Sequence, residues 1–366
     1  MSTEEQNGSE SFGRRLTWRD GVGSVLGLGL GAVLIAYGLP LGLDTSWGEI
    51  GTQLGRVRPA GAVLMALLLL AGLFCYTWVL IGSLPGLNHL QALKGNAVTS
   101  LVGNLVPLGA AVGVALWVMM ARSWGFSRRA VSASLLVTSL WNLLARIALP
   151  VIACLLLVAG PIDTPRLVVR GALVAGAVGT GVIVLVSAMV LSDTVARWVV
   201  LALDRVAGLL RRSGSRVRRL ETLMTDQRAR TQELVRSGFW PMTLGMTGQF
   251  ALLFCLYWMA ARTVGVDLPL VELICAYAFR QLLTVFAVTP GGLGVTEVGT
   301  AGMLVLLGAG AGAASATALL YAVYAHLVVV PFGVVALAAW WYGSGPGGRG
   351  RDTAPVTDGP GRPLSL

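Results

Sequence analysis

Thr289-Pro290-Gly291-Gly292-Leu293-Gly294-Val295-Thr296-Glu297 interrupts an otherwise apolar run late in the chain. Pro290 removes a backbone donor. Gly291, Gly292 and Gly294 weaken any helix across the break, and a carboxylate follows at once. In lipid, backbone freed from a helix finds no water, so it must be buried in protein or line a wet cavity. A broken helix with an acid beside it therefore reads as a site at membrane depth.

The composition places that break in a membrane. The chain has 366 residues, 55% hydrophobic and 12% charged, with a mean hydropathy of +0.76. A soluble domain carries about 25% charged residues. Apolar runs near the ~20 residues needed to cross a bilayer recur along the sequence. The first begins near Gly21 and reads as a retained span rather than a signal peptide, because no small-x-small cleavage site follows it.

The net charge of +10 is nearly all arginine, since Lys94 is the one lysine. It is concentrated in short stretches. It therefore speaks to topology and to anionic lipid as a partner, not to nucleic acid. Cys75, Cys154, Cys255 and Cys275 fall in apolar runs without metal-ligand spacing, so no metal and no cofactor is expected. No phosphate-binding G-x-x-x-x-G-K-[ST] motif occurs. With only His89 and His326, histidine-based catalysis has little room, and an enzyme is not expected.

Residues 1–19 read as a disordered cytoplasmic N-terminus, 20–342 as a polytopic membrane domain, and 343–366 as a disordered tail. Apolar runs lie at about 20–41, 60–83, 97–121, 131–159, 167–191, 239–261, 270–310 and 312–342. Gly23, Gly27 and Gly31 in the first allow close approach of another helix. A loop is expected over 42–59, and a polar link holding His89 and Lys94 before 97. The segment 192–238 holds ten arginines against five acids. It is expected to be cytoplasmic, with 194–210 lying along the interface.

If every run simply crosses, eight or nine spans result, and Arg14, Arg15 and Arg19 fall outside. Two runs are broken, 97–121 at Pro107 and Gly109, and 270–310 at Pro290. If both are re-entrant hairpins, six spans remain. Arg14, Arg15, Arg19, Arg122, Arg128, Arg129, the 192–238 loop, Arg349 and Arg351 then all face the cytoplasm. This all-α architecture, six spanning helices plus two re-entrant hairpins, is the preferred reading. The hairpins enter from opposite faces, as an inverted repeat requires. Arg146 follows Pro107 much as His326 follows Pro290, which supports such a repeat.

The candidate residues are the polar ones at membrane depth. Glu297 either faces a substrate or only caps the broken helix. Ser134, Thr138, Asn142 and Arg146 recur every four residues and form one polar stripe. Arg146 either meets a headgroup or pairs with an acid such as Glu297 for packing. Arg280 and Gln281 precede the break by about ten residues. No direct Arg280–Glu297 pair is expected, because a helical arm puts Arg280 about 15 Å from the break. Arg280 is expected nearer a surface, on a lipid phosphate or snorkelling. Tyr324 and His326 lie mid-span ahead of Pro331, and a hydrogen-bonded structural His is the alternative there. Asn104 and Gln249 are further polar candidates.

The string Pro290-Gly-Gly-Leu-Gly-Val-x-Glu297, closing an apolar run and followed by a last long span, resembles the lysylphosphatidylglycerol synthase transmembrane family. The resemblance covers most of 20–342. It implies a flippase-like membrane domain, here a stand-alone one without the cytoplasmic aminoacyltransferase. It implies translocation of a phospholipid or lipid-linked headgroup in the plasma membrane. Members often carry an Arg and a Glu beside the first Pro/Gly turn, where this chain has Leu108, Ala110 and Ala111. They often carry an Arg in the last span, where this chain has Tyr324 and His326. The other readings left open are an accessory subunit for a partner lipid- or glycan-modifying enzyme, and a secondary transporter of a small solute.

Overall fold

In a computed structural model the chain folds as helices, and no strand occurs among the described residues, which are 26–27, 29–105, 109–159, 166–191, 217–285, 289 and 292–343. The 1–19 and 343–366 termini (save Gly343), the 194–210 segment, Gly23, Pro107, Pro290 and Gly291 lie outside them.

Eleven helices follow in order. They are α1 (Gly29–Leu43), α2 (Trp47–Leu54), α3 (Pro59–Ser83), α4 (His89–Leu105), α5 (Gly109–Ser123), α6 (Arg128–Ala159), α7 (Arg166–Leu191), α8 (Val217–Thr263), α9 (Leu270–Val285), α10 (Val295–Leu306) and α11 (Ala311–Gly343). Five are long and apolar enough to cross a membrane, namely α3, α6, α7, α8 and α11; α1 with α2, bent by 101°, makes a sixth at most. The protein is thus a multi-pass membrane protein.

The antiparallel pair α3 and α8 forms the centre. Gly61 faces Met259 at one end, and Gly82 faces Met242 and the Gly238 carbonyl at the other. A Cβ on Gly238 would stand 2.1 Å from the Gly82 carbonyl oxygen, so the two backbones touch there and no larger residue fits.

Both broken runs are antiparallel helix hairpins. In the first, α5 folds back on α4, with Gly113 against Thr99 and Gly95 against Trp117. In the second, α10 folds back on α9, with Gly299 against Leu283. The arms have 17 and 15 residues, then 16 and 12. The shortest, α10, is about 18 Å long, against about 30 Å of hydrocarbon.

The hairpins open at opposite ends of the bundle. The mouth of the first lies with the C-terminal end of α11, where Trp340 Nε1 donates to Ser123 Oγ over 2.9 Å. The mouth of the second lies with the C-terminal end of α6, where Ala153 and Leu157 pack on Cys275 and Ala278.

Each hairpin is held by the last span of the other half. α6 packs along α9, and the C-terminal part of α11 packs along α4, with Gly333 against Leu101. The contacts repeat in sequence as well. Arg146 reaches Thr284 and His326 reaches Asn104, and both 284 − 104 and 326 − 146 equal 180. A second helix touches one tip in the same way. α1 carries a π-turn, Leu34–Gly38, ahead of Pro40 and runs beside the second tip. α11 carries a π-turn, Val323–Val328, ahead of Pro331 and meets the first tip. A wide turn spares the carbonyl that the proline leaves without a donor.

Three expectations are corrected. The 42–59 loop contains α2, started by a capping box: Ser46 Oγ accepts from the Glu49 N–H, and Glu49 Oε2 accepts from the Ser46 N–H. The polar link before the first hairpin is only 84–88, because Asn88 and Gln91 cap each other and start the helix at His89. The helix of the 239–261 span begins at Val217, so α8 runs unbroken for 47 residues out of the basic segment.

Candidate functional site

The second hairpin turns on Thr289 and Gly292. The Gly292 N–H donates to the Thr289 carbonyl over 2.9 Å, and the Thr289 hydroxyl donates to the Leu293 carbonyl over 2.7 Å. Gly292 and Gly294 hold φ of 76° and 88°, which favours glycine. Gly294 is also pressed on α1, where a Cβ would meet Leu34 Cβ at 2.7 Å and the Gly31 carbonyl oxygen at 2.8 Å. Gly31, of the α1 glycine series, is the described member that makes this close approach.

Glu297 is buried and closes the turn. Its Oε2 accepts the Gly294 N–H over 2.5 Å, which satisfies a free donor at the start of α10. The Thr296 hydroxyl lies 2.8 Å from Glu297 Oε1 and 3.0 Å from the Gly292 carbonyl oxygen, so its single proton serves one at a time.

Arg280 pairs with Glu297, contrary to expectation. Nη2 lies 3.7 Å from Oε1, with side chains 5% and 0% exposed. The long Arg280 side chain reaches toward the tip, and α10 returns along α9 and brings Glu297 back beside it. Arg280 is also not at a surface. Its guanidinium carbon stands 4.3 Å from the centre of the Tyr321 ring. Tyr321, Tyr277 and Tyr257 pack edge-to-face or tilted around it.

Arg146, on α6, reaches the same arm one turn further along, at Gln281 and Thr284. Its Nε donates to Asn142 Oδ1 over 2.7 Å, and Nη1 donates to Gln281 Oε1 over 3.2 Å and to the Thr284 hydroxyl. Phe250 of α8 lies under the guanidinium at 5.9 Å. No carboxylate among the described residues lies within ion-pair distance of it. Pairing with Glu297 is thus not what holds Arg146, and the cluster Arg146, Arg280, Glu297 keeps one net positive charge. The rest of its stripe is structural: Ser134 Oγ is 2.7 Å from Ser83 Oγ, and the Thr138 hydroxyl donates to the Ser134 carbonyl.

His326 and Tyr324 are placed elsewhere. The Tyr324 hydroxyl donates to the Ala62 carbonyl of α3 over 2.8 Å. Asn104 Nδ2 donates to the Ala325 carbonyl over 3.1 Å, so its Oδ1 accepts from His326 Nδ1–H, also 3.1 Å away. His326 Nε2 is then a buried acceptor with no partner among the described residues. Asn104 also lines a cavity of about 270 Å³ with Ser100, Gln249, Tyr321 and apolar side chains of α3, α8 and α11. Gly109, at the other side of the first break, is pressed on α4, where a Cβ would stand 2.3 Å from the Val102 carbonyl oxygen.

The family model for the lysylphosphatidylglycerol synthase TM region matches residues 24–333. The chain belongs to this family. No curated protein matches it. In this lysylphosphatidylglycerol synthase TM region the matched stretch takes in both hairpins and every helix named above from α1 onward, as far as Gly333 in α11.

Sequence reasoning missed the role of Tyr321, the ring on which Arg280 rests, and passed over Thr284. Tyr321 gives no local signal in an apolar run. Thr284 had one: it follows Arg280 by four residues and Gln281 by three, on one face of α9.

Proposed function

We propose that this chain carries a phosphate-bearing lipid headgroup between the leaflets of the plasma membrane, as a carrier rather than an enzyme. The observation behind the reading is Arg146. It lies midway along a spanning helix, with neutral hydrogen-bond partners and no described carboxylate within reach. A lone charge at that depth costs on the order of 3 kcal/mol on insertion scales. An arriving phosphate offsets that cost, and a guanidinium suits phosphate geometry.

In this reading the two hairpins enter from opposite faces and their tips flank the headgroup's path. The antiparallel order of α3 against α8 and the opposed hairpin mouths support that topology. It also keeps the arginine-rich segments on one side. The 192–238 segment gathers anionic lipid there, at about 1 kcal/mol per arginine close to the surface.

The test is reconstitution into vesicles with a short-chain fluorescent phospholipid, read by an impermeant quencher. Wild type exposes inner-leaflet probe faster than empty vesicles, and Arg146→Gln does not. A wild type no faster than empty vesicles sinks the reading.

A further inference from the structure

His326 lies midway along α11, inside the π-turn Val323–Val328, and takes no part in holding a phosphate on Arg146. Asn104 Nδ2 donates to the Ala325 carbonyl, which leaves Asn104 Oδ1 to accept from His326 Nδ1–H. The tautomer is thereby set, and the ring's lone pair is on Nε2. That atom is buried and has no hydrogen-bond partner among the described residues. The clasp on Asn104 uses Nδ1–H, which the neutral and the charged ring both carry. His326 can therefore gain a proton at Nε2 without letting go of the first hairpin tip. Histidine is also the side chain whose charge ordinarily changes between pH 5 and 8.

What faces the ring decides what that proton does. From α4 it meets the Asn104 amide, and Val106, Pro107 and Leu108 beyond it carry no titratable side chain. From α3 comes the Ala62 carbonyl, taken by Tyr324. α8 brings the uncharged Gln249 and Leu253 to the cavity beside Asn104. On α11 itself the titratable neighbours are Tyr324 and Tyr321. Tyr321 carries Arg280 of α9 on its face, and the Arg280 charge acts on His326 and on Arg146 alike. Glu297, the carboxylate of that cluster, is engaged by Arg280 and the Gly294 N–H. No described carboxylate lies within ion-pair distance of His326. An imidazolium there adds a cation to a cluster that already holds one positive charge in excess. An anion drawn to Arg146 reverses that balance and favours the charged ring.

We propose that His326 is a proton-binding site, loaded at Nε2 when a phosphate anion occupies the Arg146 cluster and emptied when the anion leaves. The lipid nature of that anion rests on the carrier reading above, while the proton site stands on its own geometry. The step is one proton transfer: hydronium gives its proton to Nε2 and leaves as water, and no other bond changes. By linkage, each ligand raises the affinity for the other by the same factor. A singly charged phosphate and one proton then cross as a neutral pair, so a pH difference between the two sides drives lipid movement.

The chain holds two histidines, His89 and His326, so histidine labelled with nitrogen-15 gives two imidazoles to follow by NMR. His326→Gln assigns them by removing one, and His89→Gln by removing the other. The full chain is titrated between pH 4 and 8 in phosphate-free dodecyl maltoside micelles, alone and with short-chain phosphatidylglycerol, the matching diacylglycerol, or inorganic phosphate. Phosphatidylglycerol is expected to raise the His326 midpoint by about one pH unit, a tenfold gain in proton affinity, and diacylglycerol to leave it unmoved. His89 is exposed and, in the same sample, measures what a charged micelle surface does by itself. Arg146→Gln is expected to remove the rise. No rise at His326, a rise no larger than at His89, an equal rise with diacylglycerol, or a rise that Arg146→Gln keeps overturns the proposal. A rise with inorganic phosphate and none with the lipid upholds the proton site and overturns the lipid reading instead. Lipid movement by a wild type whose His326 midpoint ignores phosphatidylglycerol overturns this inference alone.

Discussion

Arg280 Nη2 and Glu297 Oε1 stand 3.7 Å apart across the two arms of the second hairpin, both withdrawn from solvent. The pair closes the hairpin, and the same carboxylate holds the Gly294 N–H at its tip. Glu297→Gln keeps an acceptor for Gly294 but leaves Arg280 as an unpaired buried charge. That change is expected to cost about 3–5 kcal/mol. The double variant Arg280→Gln/Glu297→Gln is expected to recover part of it. Thermal unfolding in detergent reads both; a single variant as stable as wild type contradicts the pairing.

Gly294 carries two demands at once, a φ of 88° and contact with Gly31 and Leu34. Gly294→Ala is therefore expected to unseat the tip from α1 and lower the melting temperature by several degrees. Gly29→Ala is the control, since nothing among the described residues lies within 4 Å of its Cβ position. It is expected to leave melting unchanged.

Arg146 engages Asn142 through Nε while Nη1 reaches Gln281 and Thr284. A lysine keeps the charge but has neither the fork nor the reach in two directions. Arg146→Lys is expected to lose tenfold or more in lipid movement while folding normally. Transport rate in vesicles, with a melting curve alongside, checks it. Full activity in Arg146→Lys shows that charge alone suffices.

The opposed hairpins fix which ends share a side. With Cys75, Cys154, Cys255 and Cys275 replaced by alanine, single cysteines at exposed Asp44 and Asp267 are expected to react with an impermeant thiol reagent added outside intact cells. A cysteine at exposed Arg122 is expected to react only after permeabilisation. Labelling of all three from one side rules out the arrangement.

Much of the fold was legible because the bilayer makes it so. Spans must be long and apolar, and a break with Pro290 and three glycines cannot cross lipid as a plain helix. The pairing of Arg146 with the second hairpin was less legible. The four-residue stripe put it on a polar face, but that face's partners lie 135 and 138 residues away. Arg280 and Glu297 were separated by reckoning only the outward arm; the return arm is what joins them. The helix starts at Trp47 and His89 were written in plain capping signals, Ser46 with Glu49 and Asn88 with Gln91. The apolar runs on either side carry the stronger pattern. Tyr321 and the cavity had no local signal at all, since packing across four helices creates them.

The reciprocal hold between the halves also sets an order of manufacture. When the second hairpin leaves the ribosome, α1 and α6 already exist to receive it. The first hairpin has no such luck: Asn104 is made 222 residues before His326. At roughly 5–20 residues per second, its tip goes without its clasp for about 10–45 seconds. Through that interval a folded-back pair of helices sits at the membrane with its proper neighbour unwritten. A nascent chain halted before α11 is where that waiting tip can be caught, with Asn104 still lacking the Ala325 and His326 partners of the finished protein.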